Sequence, residues 1–188
     1  TEQNALASIA KTERKIAICK AAIEKLKDQV LLADIAKQGF DHRMNVNDFI
    51  ELCNAAIQKL TDQSYIADVA NNAANNDVKK IAVDKLDHVN LLAFLTNKTD
   101  DAYLIRVALG RLADPKIFAD LAKNAANRDL RLAAMEKLTD QTILAEIAMK
   151  NSKESLKAVA SISDETLLMK VFKQTKNGGI KKEAMRKL

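Results

Sequence analysis

An element of about 26 residues that recurs along the chain is the feature that most limits its fold. LTDQSYIADVA at 60–70 returns as LTDQTILAEIA at 138–148. Aligned on the apolar residue that ends each element, the chain divides into seven repeats: 1–26, 27–60, 61–86, 87–112, 113–138, 139–162 and 163–188. Self-similarity at a fixed period of this size is typical of solenoid proteins.

Two columns of the alignment predict helices with a common buried face. Four positions before the closing residue every repeat has an alanine: Ala22, Ala56, Ala82, Ala108, Ala134, Ala158 and Ala184. Three positions before it every repeat has an apolar residue: Ile23, Ile57, Val83, Leu109, Met135, Val159 and Met185. These positions share one face with the closing residue at helical spacing. We expect the alanines to be buried, because a small side chain allows a neighbouring backbone to approach closely.

Each repeat also carries signals for where its helices begin. An Asp that precedes an apolar-periodic run predicts an N-cap, and it recurs at Asp28, Asp62, Asp114, Asp140 and Asp164. The single proline, Pro115, follows Asp114, and the first helical position tolerates proline because no N–H is needed there. We expect the second helices to start at caps such as Asp77 and Asp129.

The repeats therefore predict an all-α fold: an α-solenoid of seven helical-hairpin repeats in one domain, 1–188, with no sheet. Helices of about ten residues are marginal alone in water, so each hairpin needs its neighbours. A leucine-rich repeat would need an alternating L-x-x-L-x-L strand in each repeat, and that pattern is missing. The chain starts and ends in phase with the repeat, which suggests a piece of a longer array.

Paired-helix repeats such as TDQSYIADVA…DVKKIAVDKL resemble the HEAT-like α-solenoids, and their length is similar to the short bacterial forms. The resemblance implies a right-handed superhelix and, most often, protein binding. The HEAT-like proteins also include a minority of enzymes, among them alkylpurine DNA glycosylases and bilin lyases. For this chain, only the similarity of fold would support either enzymatic function.

Composition narrows the classes of function. No apolar run approaches the ~20 residues of a membrane span, and two cysteines give no disulfide framework, which favours a reducing cytoplasm. The net charge is +5, and residues 173–188 hold six basic side chains and one acidic, so this segment (6 − 1 = +5) carries the whole excess. We expect no membrane partner.

No motif for catalysis or cofactor binding is present. The nucleophile elbow, the HExxH pair, the GxGxxG loop and the P-loop are all missing, so we predict a non-enzymatic protein with no cofactor and no small-molecule substrate. The second repeat carries an insertion at 37–48, with Phe40, Asp41, His42 and Arg43 at its centre. It lacks the EF-hand order of ligands, so we predict no metal site; the insertion is a partner-contacting loop or a tolerated surface loop. His88 occupies the position of the cap Asp, which predicts a place at a helix start.

Two charged columns follow the repeats. One position before the closing residue lie Lys25, Lys59, Lys85, Arg111, Lys137, Ser161 and Lys187. Such a ladder could bind phosphates, but the last helical turn is also where cations satisfy terminal carbonyls, and we favour the second interpretation. An acidic column on the first helices, Asp34, Asp68, Asp120 and Glu146, would balance the ladder in sign.

The second helices are expected to form the concave face and to bind a protein or peptide there. The predicted contact residues are Lys80, Asp84, Arg106, Leu132, Glu136 and Leu156. Two of these contact residues, Leu132 and Leu156, are apolar, and an apolar stretch among polar residues is typical of a protein-binding groove. The alternative is that these leucines pack against neighbouring helices. The alternative function is nucleic-acid binding, in a DNA-glycosylase-like mode or through the basic C-terminal segment. Base stacking would lack platforms, because tryptophan is absent and the two tyrosines are apart.

Overall fold

The computed structural model describes residues 1–39, 44–96 and 101–188. All regular structure in these ranges is α-helical, which confirms the predicted all-α fold without sheet. Each of the seven sequence repeats contains two helices. The helices are α1 (Glu2–Thr12), α2 (Ile16–Lys25), α3 (Gln29–Lys37), α4 (Val46–Lys59), α5 (Gln63–Asn72), α6 (Asn76–Lys85), α7 (His88–Thr96), α8 (Ala102–Arg111), α9 (Pro115–Asn124), α10 (Arg128–Glu136), α11 (Gln141–Met149), α12 (Ser155–Ser161), α13 (Glu165–Gln174) and α14 (Gly178–Lys187).

The chain forms two compact bodies, an N-terminal body (Thr1–Arg111) and a C-terminal body (Leu112–Leu188). In the N-terminal body α1, α3 and α5 pack in series, as do α2, α4, α6 and α8. In the C-terminal body α11 packs on α13 and α12 on α14. Within each body, first helices of successive repeats therefore contact first helices, and second helices contact second helices.

Buried alanines allow this close stacking. All seven alanines of the column are buried, at 5% exposure for Ala22 and 0% for the other six, as the sequence predicts. The apolar column beside them is buried in six repeats, whereas Met185 is 53% exposed. Among the closing residues Leu138 is half-buried and Leu188 is exposed, and the other five are buried.

The predicted N-caps of the first helices are confirmed. Asp28 Oδ1 accepts hydrogen bonds from the backbone N–H groups of Val30 and Leu31, at 2.9 and 3.2 Å. Side chains of the other predicted Asp residues accept equivalent bonds at α5, α9, α11 and α13. Pro115 begins α9, as expected.

The predicted caps of the second helices were wrong. Asn75, not Asp77, caps α6: its Oδ1 accepts from Asp77 N at 2.8 Å and from Val78 N at 3.2 Å. In α10 the cap is Asn127, and Asp129 lies in the first turn. An amide oxygen two residues upstream satisfies the free N–H groups, which leaves each Asp to interact with the positive end of the helix dipole.

The predicted place of His88 at a helix start is confirmed. His88 is the first helical residue, but the capping group is its neighbour Asp87, whose Oδ1 accepts from the backbone N–H of Asn90 at 2.8 Å. This backbone hydrogen bond is the main reason that the pKa of Asp87 is lowered. The capping residue of α7 thus lies one position after the preceding closing residue, whereas in the other repeats it lies two positions after it.

A glutamine near the start of the first helix links one repeat to the next. Gln29 Oε1 accepts from the backbone N–H of Thr61 at 2.8 Å and of Asp62 at 3.4 Å, and Nε2 donates to the Lys59 carbonyl at 3.3 Å. Equivalent bonds join Gln3 to Lys27 and Asp28, Gln63 to Asp87, and Gln141 to Ser163. The sequence analysis gave no role to this residue, although "DQ" is part of the repeated motif.

The sixth repeat is shorter than the others and connects its helices differently. Asn151 has a φ of 54°, in the left-handed region that asparagine tolerates. The Ser155 hydroxyl donates to the Ile147 carbonyl at 2.9 Å. Glu154, whose side chain is 7% exposed, accepts from Arg131 at 2.9 Å. This ion pair joins α10 to the start of α12.

Candidate interaction surface

The basic ladder one position before the closing residue contacts the backbone of the preceding repeat. Lys85 Nζ donates to the carbonyl oxygens of Ile57 and Gln58, at 2.9 and 2.5 Å. Three further cations of the ladder bond in the same way: Lys59 to Glu24, Arg111 to Val83 and Leu86, and Lys187 to Val159, Ala160 and Ile162. The prediction that these cations satisfy helix-terminal carbonyls is confirmed for four of the six, although the carbonyls belong to the neighbouring second helix. Lys25 and Lys137 are exposed and form no such bond with the residues that the structure describes.

The acidic column does not pair with this ladder. Asp68 Oδ2 lies 2.7 Å from Lys37 Nζ, and Glu146 Oε2 lies 2.6 Å from Lys123 Nζ. Both lysines lie near the end of the first helix of the preceding repeat. The first helices thus have their own ion pairs between repeats, and the expected balance between the two columns is replaced by pairing within one layer of helices.

The predicted contact residues of the N-terminal body are exposed and unpaired. Lys80 and Asp84 lie one turn apart on α6, and Arg106 lies on the adjacent α8. None of the three forms a hydrogen bond or ion pair with any residue that the structure describes. Their charges are therefore available to a ligand, in contrast to the charges of the ladder.

Asp84 lines a cavity between α4 and α6. The cavity has a volume of about 400 Å³, and its other walls are Asn54 and Gln58 from α4 and Ile81 and Lys85 from α6. Amide, carboxylate and ammonium groups surround a single aliphatic side chain. The arrangement suits a polar, hydrogen-bonding occupant rather than a purely apolar one.

The predicted residues of the C-terminal body form a more apolar surface. Leu132 is half-buried, and Leu156 is 51% exposed. Glu136 Oε1 lies 2.6 Å from Lys157 Nζ, which links α10 to the helix that carries Leu156. Part of Leu156 faces α14, since a Cβ on Gly179 would lie 3.9 Å from its Cδ2. Leu156 thus lies beside α14 and still leaves accessible apolar surface, and the binding of a protein at these leucines stays a prediction.

The insertion residues Phe40, Asp41, His42 and Arg43 lie outside the described residues, so the contact-loop hypothesis stays a prediction. Within the described ranges, no three His, Cys, Asp or Glu side chains are grouped so that they could hold a metal ion. Cys19 and Cys53 are both free and buried. Burial raises the pKa of Cys19 and raises that of Cys53 to about 12.

No protein-family model, curated protein or solved structure matches the chain. In the part of the chain that the structure describes, no helix combines the length and the apolar character needed to cross a bilayer.

Proposed function

We propose that this chain is a non-enzymatic HEAT-like scaffold, in which seven helical hairpins form a right-handed α-solenoid and the face of the second helices binds a protein or peptide. The stacking of like helices within each body supports the solenoid. The observation that carries the function is the contrast between two sets of charges on the second helices. Four ladder cations (Lys59, Lys85, Arg111 and Lys187) are bonded to backbone carbonyls. In contrast, Lys80, Asp84 and Arg106 are exposed and have no bonded partner among the described residues.

A peptide is the occupant that this face suits best. Unpaired charges of both signs lie beside a cavity with amide groups on its wall. Extended peptides offer backbone donors and acceptors and side chains of either charge, and such polar complementarity gives specificity. In the C-terminal body the exposed part of Leu156 supplies an apolar contact.

Nucleic acid is less well supported, because the cations best placed for a phosphate ladder already bond to carbonyls. In the basic C-terminal segment Lys187 bonds to carbonyls of the preceding repeat, and Arg186 pairs with Glu183 at 2.6 Å. The exposed Lys173, Lys176 and Lys182 remain for phosphate contacts.

Selection of displayed peptides against the immobilised chain tests the proposal. Peptides that bind wild type should bind Arg106→Glu and Asp84→Lys at least about tenfold more weakly if those charges are contacted. Lys27→Glu is the matched control for Arg106→Glu: it makes the same charge change at an exposed loop position and should leave binding unchanged. Circular dichroism should show equal helicity for all variants.

Two results would overturn the proposal. The first is that selected peptides bind every second-helix variant, including Leu156→Asp, as tightly as wild type. The second is that no peptide is selected while duplex DNA binds at low salt and loses affinity in Lys176→Glu and Lys182→Glu. That pattern would favour the nucleic-acid function.

A further inference from the structure

Two repeats that are followed by another lack the glutamine that links first helices to the next repeat: the fourth, which has Val89 at that position, and the fifth. In α9 its position is taken by Pro115, which has no side-chain amide. The loop that follows Leu138 begins Thr139-Asp140 and is identical in sequence to Thr61-Asp62 after Leu60. In the earlier repeat both N–H groups of that dipeptide donate to Gln29 Oε1. In the later one, neither the Thr139 nor the Asp140 N–H has an acceptor among the described residues.

A cavity of about 230 Å³ lies beside this loop in the C-terminal body. Pro115 and Ala119 of α9, Leu138, and Ile143 of α11 form its apolar wall, and the polar residues Lys116, Thr139 and Asp140 also line it. Gln29 and Tyr65, the residues equivalent to Pro115 and Ile143, are both longer. The cavity is thus explained by the loss of a long polar side chain from a site that other repeats fill.

The chain itself shows which chemical group fits the equivalent sites. In four other repeats the occupant is a neutral carboxamide, whose oxygen accepts from loop N–H groups at 2.7 to 3.0 Å. A carboxylate is a poorer match, because it cannot donate as the amides of Gln3 and Gln29 do to the carbonyls of Lys25 and Lys59, at 3.4 and 3.3 Å. The charges of Lys116 and Asp140, which both line the cavity, are opposite in sign and favour neither group.

We propose that the Pro115 cavity binds the carboxamide side chain of an asparagine or glutamine from a protein partner. Its oxygen accepts from the N–H groups of Thr139 and Asp140, and its methylene groups lie against Leu138 and Ile143. The site lies on the first helices, so it does not depend on the function proposed for the second-helix face. Pro115 leaves vacant a binding site that a glutamine of the same chain fills in four other repeats.

Titration with butanamide, observed through the backbone amide resonances of the ¹⁵N-labelled full chain, tests the proposal. Thr139 and Asp140 signals should shift saturably, with a Kd on the order of 10 mM for so small a probe. The isosteric acid butanoate should bind at least about fivefold more weakly, because it lacks the N–H donor of the carboxamide. Pro115→Gln should abolish the saturable shift, since its own side chain then fills the site. Pro115→Ala, which supplies no acceptor, should retain it.

Ala119→Leu offers a second route, because it fills the cavity from the α9 side without altering the first turn. It should also abolish the shift, so the proposal can be tested even if Pro115→Gln does not fold. Three outcomes would overturn the proposal: no saturable shift in the wild type, undiminished binding in both cavity-filling variants, or equal binding of butanamide and butanoate. The first would mean that water alone satisfies these N–H groups, and the last would indicate a site for any acceptor oxygen rather than for a carboxamide.

Discussion

The ammonium group of Lys85 lies 2.9 Å from the carbonyl oxygen of Ile57, one repeat earlier in the chain. Lys85 is half-buried, and this burial lowers the pKa of its ammonium group. The side chain thus gives up part of its hydration to bond to the end of α4. The cation ladder is a structural link between repeats, which is why it recurs.

Replacing Lys85 with Met should reduce the free energy of unfolding by about 1–2 kcal/mol, because charge-assisted hydrogen bonds to two carbonyls are lost while the apolar stem is kept. Lys80→Met on the same helix is the control, since Lys80 is exposed and forms no such bond. Urea unfolding followed by circular dichroism measures both. Equal stabilities for the two variants would contradict the role assigned to Lys85.

The glutamine link gives a second prediction. Gln29→Ala removes the acceptor of the Thr61 and Asp62 N–H groups and the donor to the Lys59 carbonyl. The expected loss is about 1–2 kcal/mol, since the loop keeps some access to water. Gln174→Ala, at an exposed position on α13, should change the free energy of unfolding by less than about 0.5 kcal/mol. A loss at Gln174 as large as that at Gln29 would contradict the link.

The repeat determined which parts of this fold could be predicted. The alanine column and the Asp caps follow from one-dimensional rules, because a helix face and a cap are set by residues a few positions apart. The carbonyls bound by Lys85 and the N–H groups bound by Gln29 belong to the next or the preceding repeat. The sequence shows that such residues recur but not which partner lies within reach.

The surface residues were harder to predict for the same reason. Lys80 and Lys85 look alike in sequence, yet only Lys85 reaches the end of another helix. The fifth repeat has Pro115 where the DQ motif has glutamine. This replacement predicts a cavity only if the hydrogen bonds that the glutamine makes to the next repeat are already known. Asp caps most of the first helices, which makes Asp77 a candidate by analogy, whereas the four second helices α4, α6, α10 and α14 are capped by asparagine.

That difference can be tested directly at α6. Asn75→Ala should lower the free energy of unfolding by about 1 kcal/mol, because it removes the acceptor of the Asp77 and Val78 N–H groups. Asp77→Ala removes only a charge near the positive end of the dipole and should cost about 0.3–1 kcal/mol at low salt. Adding 1 M NaCl should reduce the effect at Asp77 and leave that at Asn75. If only the Asn75 effect disappeared in salt, the assignment would be reversed.

The buried cysteines predict slow chemical labelling. With a pKa of about 12 for Cys53, the thiolate fraction at pH 8 is on the order of 10⁻⁴. Iodoacetamide should therefore modify Cys19 and Cys53 in the native protein far more slowly than in urea, as mass spectrometry would measure. Ala21→Cys, at an exposed position on α2, is the reactive control. Native labelling of Cys53 as fast as that of the control would mean that the N-terminal body opens readily.

The ion pair of Glu154 and Arg131 should make stability depend on pH. Burial of the carboxyl group raises its pKa, but its hydrogen bonds, above all the one from Arg131, outweigh this effect. The pKa of Glu154 is therefore lowered. A carboxylate with a lowered pKa in the folded state stabilises the protein at pH values above its unfolded pKa of about 4.3. This contribution is lost as the pH falls through the folded pKa, because the unfolded state binds the proton more tightly.

Glu154→Gln keeps an acceptor for Arg131 but cannot ionise. At pH 7 the variant should be less stable than wild type by about 1 kcal/mol, the difference between a charge-assisted and a neutral hydrogen bond. The gap should narrow steadily below about pH 4.3, measured by urea unfolding at a series of pH values. Arg131→Met, which removes the donor, should weaken the pH dependence attributable to Glu154. A gap between wild type and Glu154→Gln that stayed constant down to pH 3 would show that the charge of Glu154 contributes nothing to the link between α10 and α12.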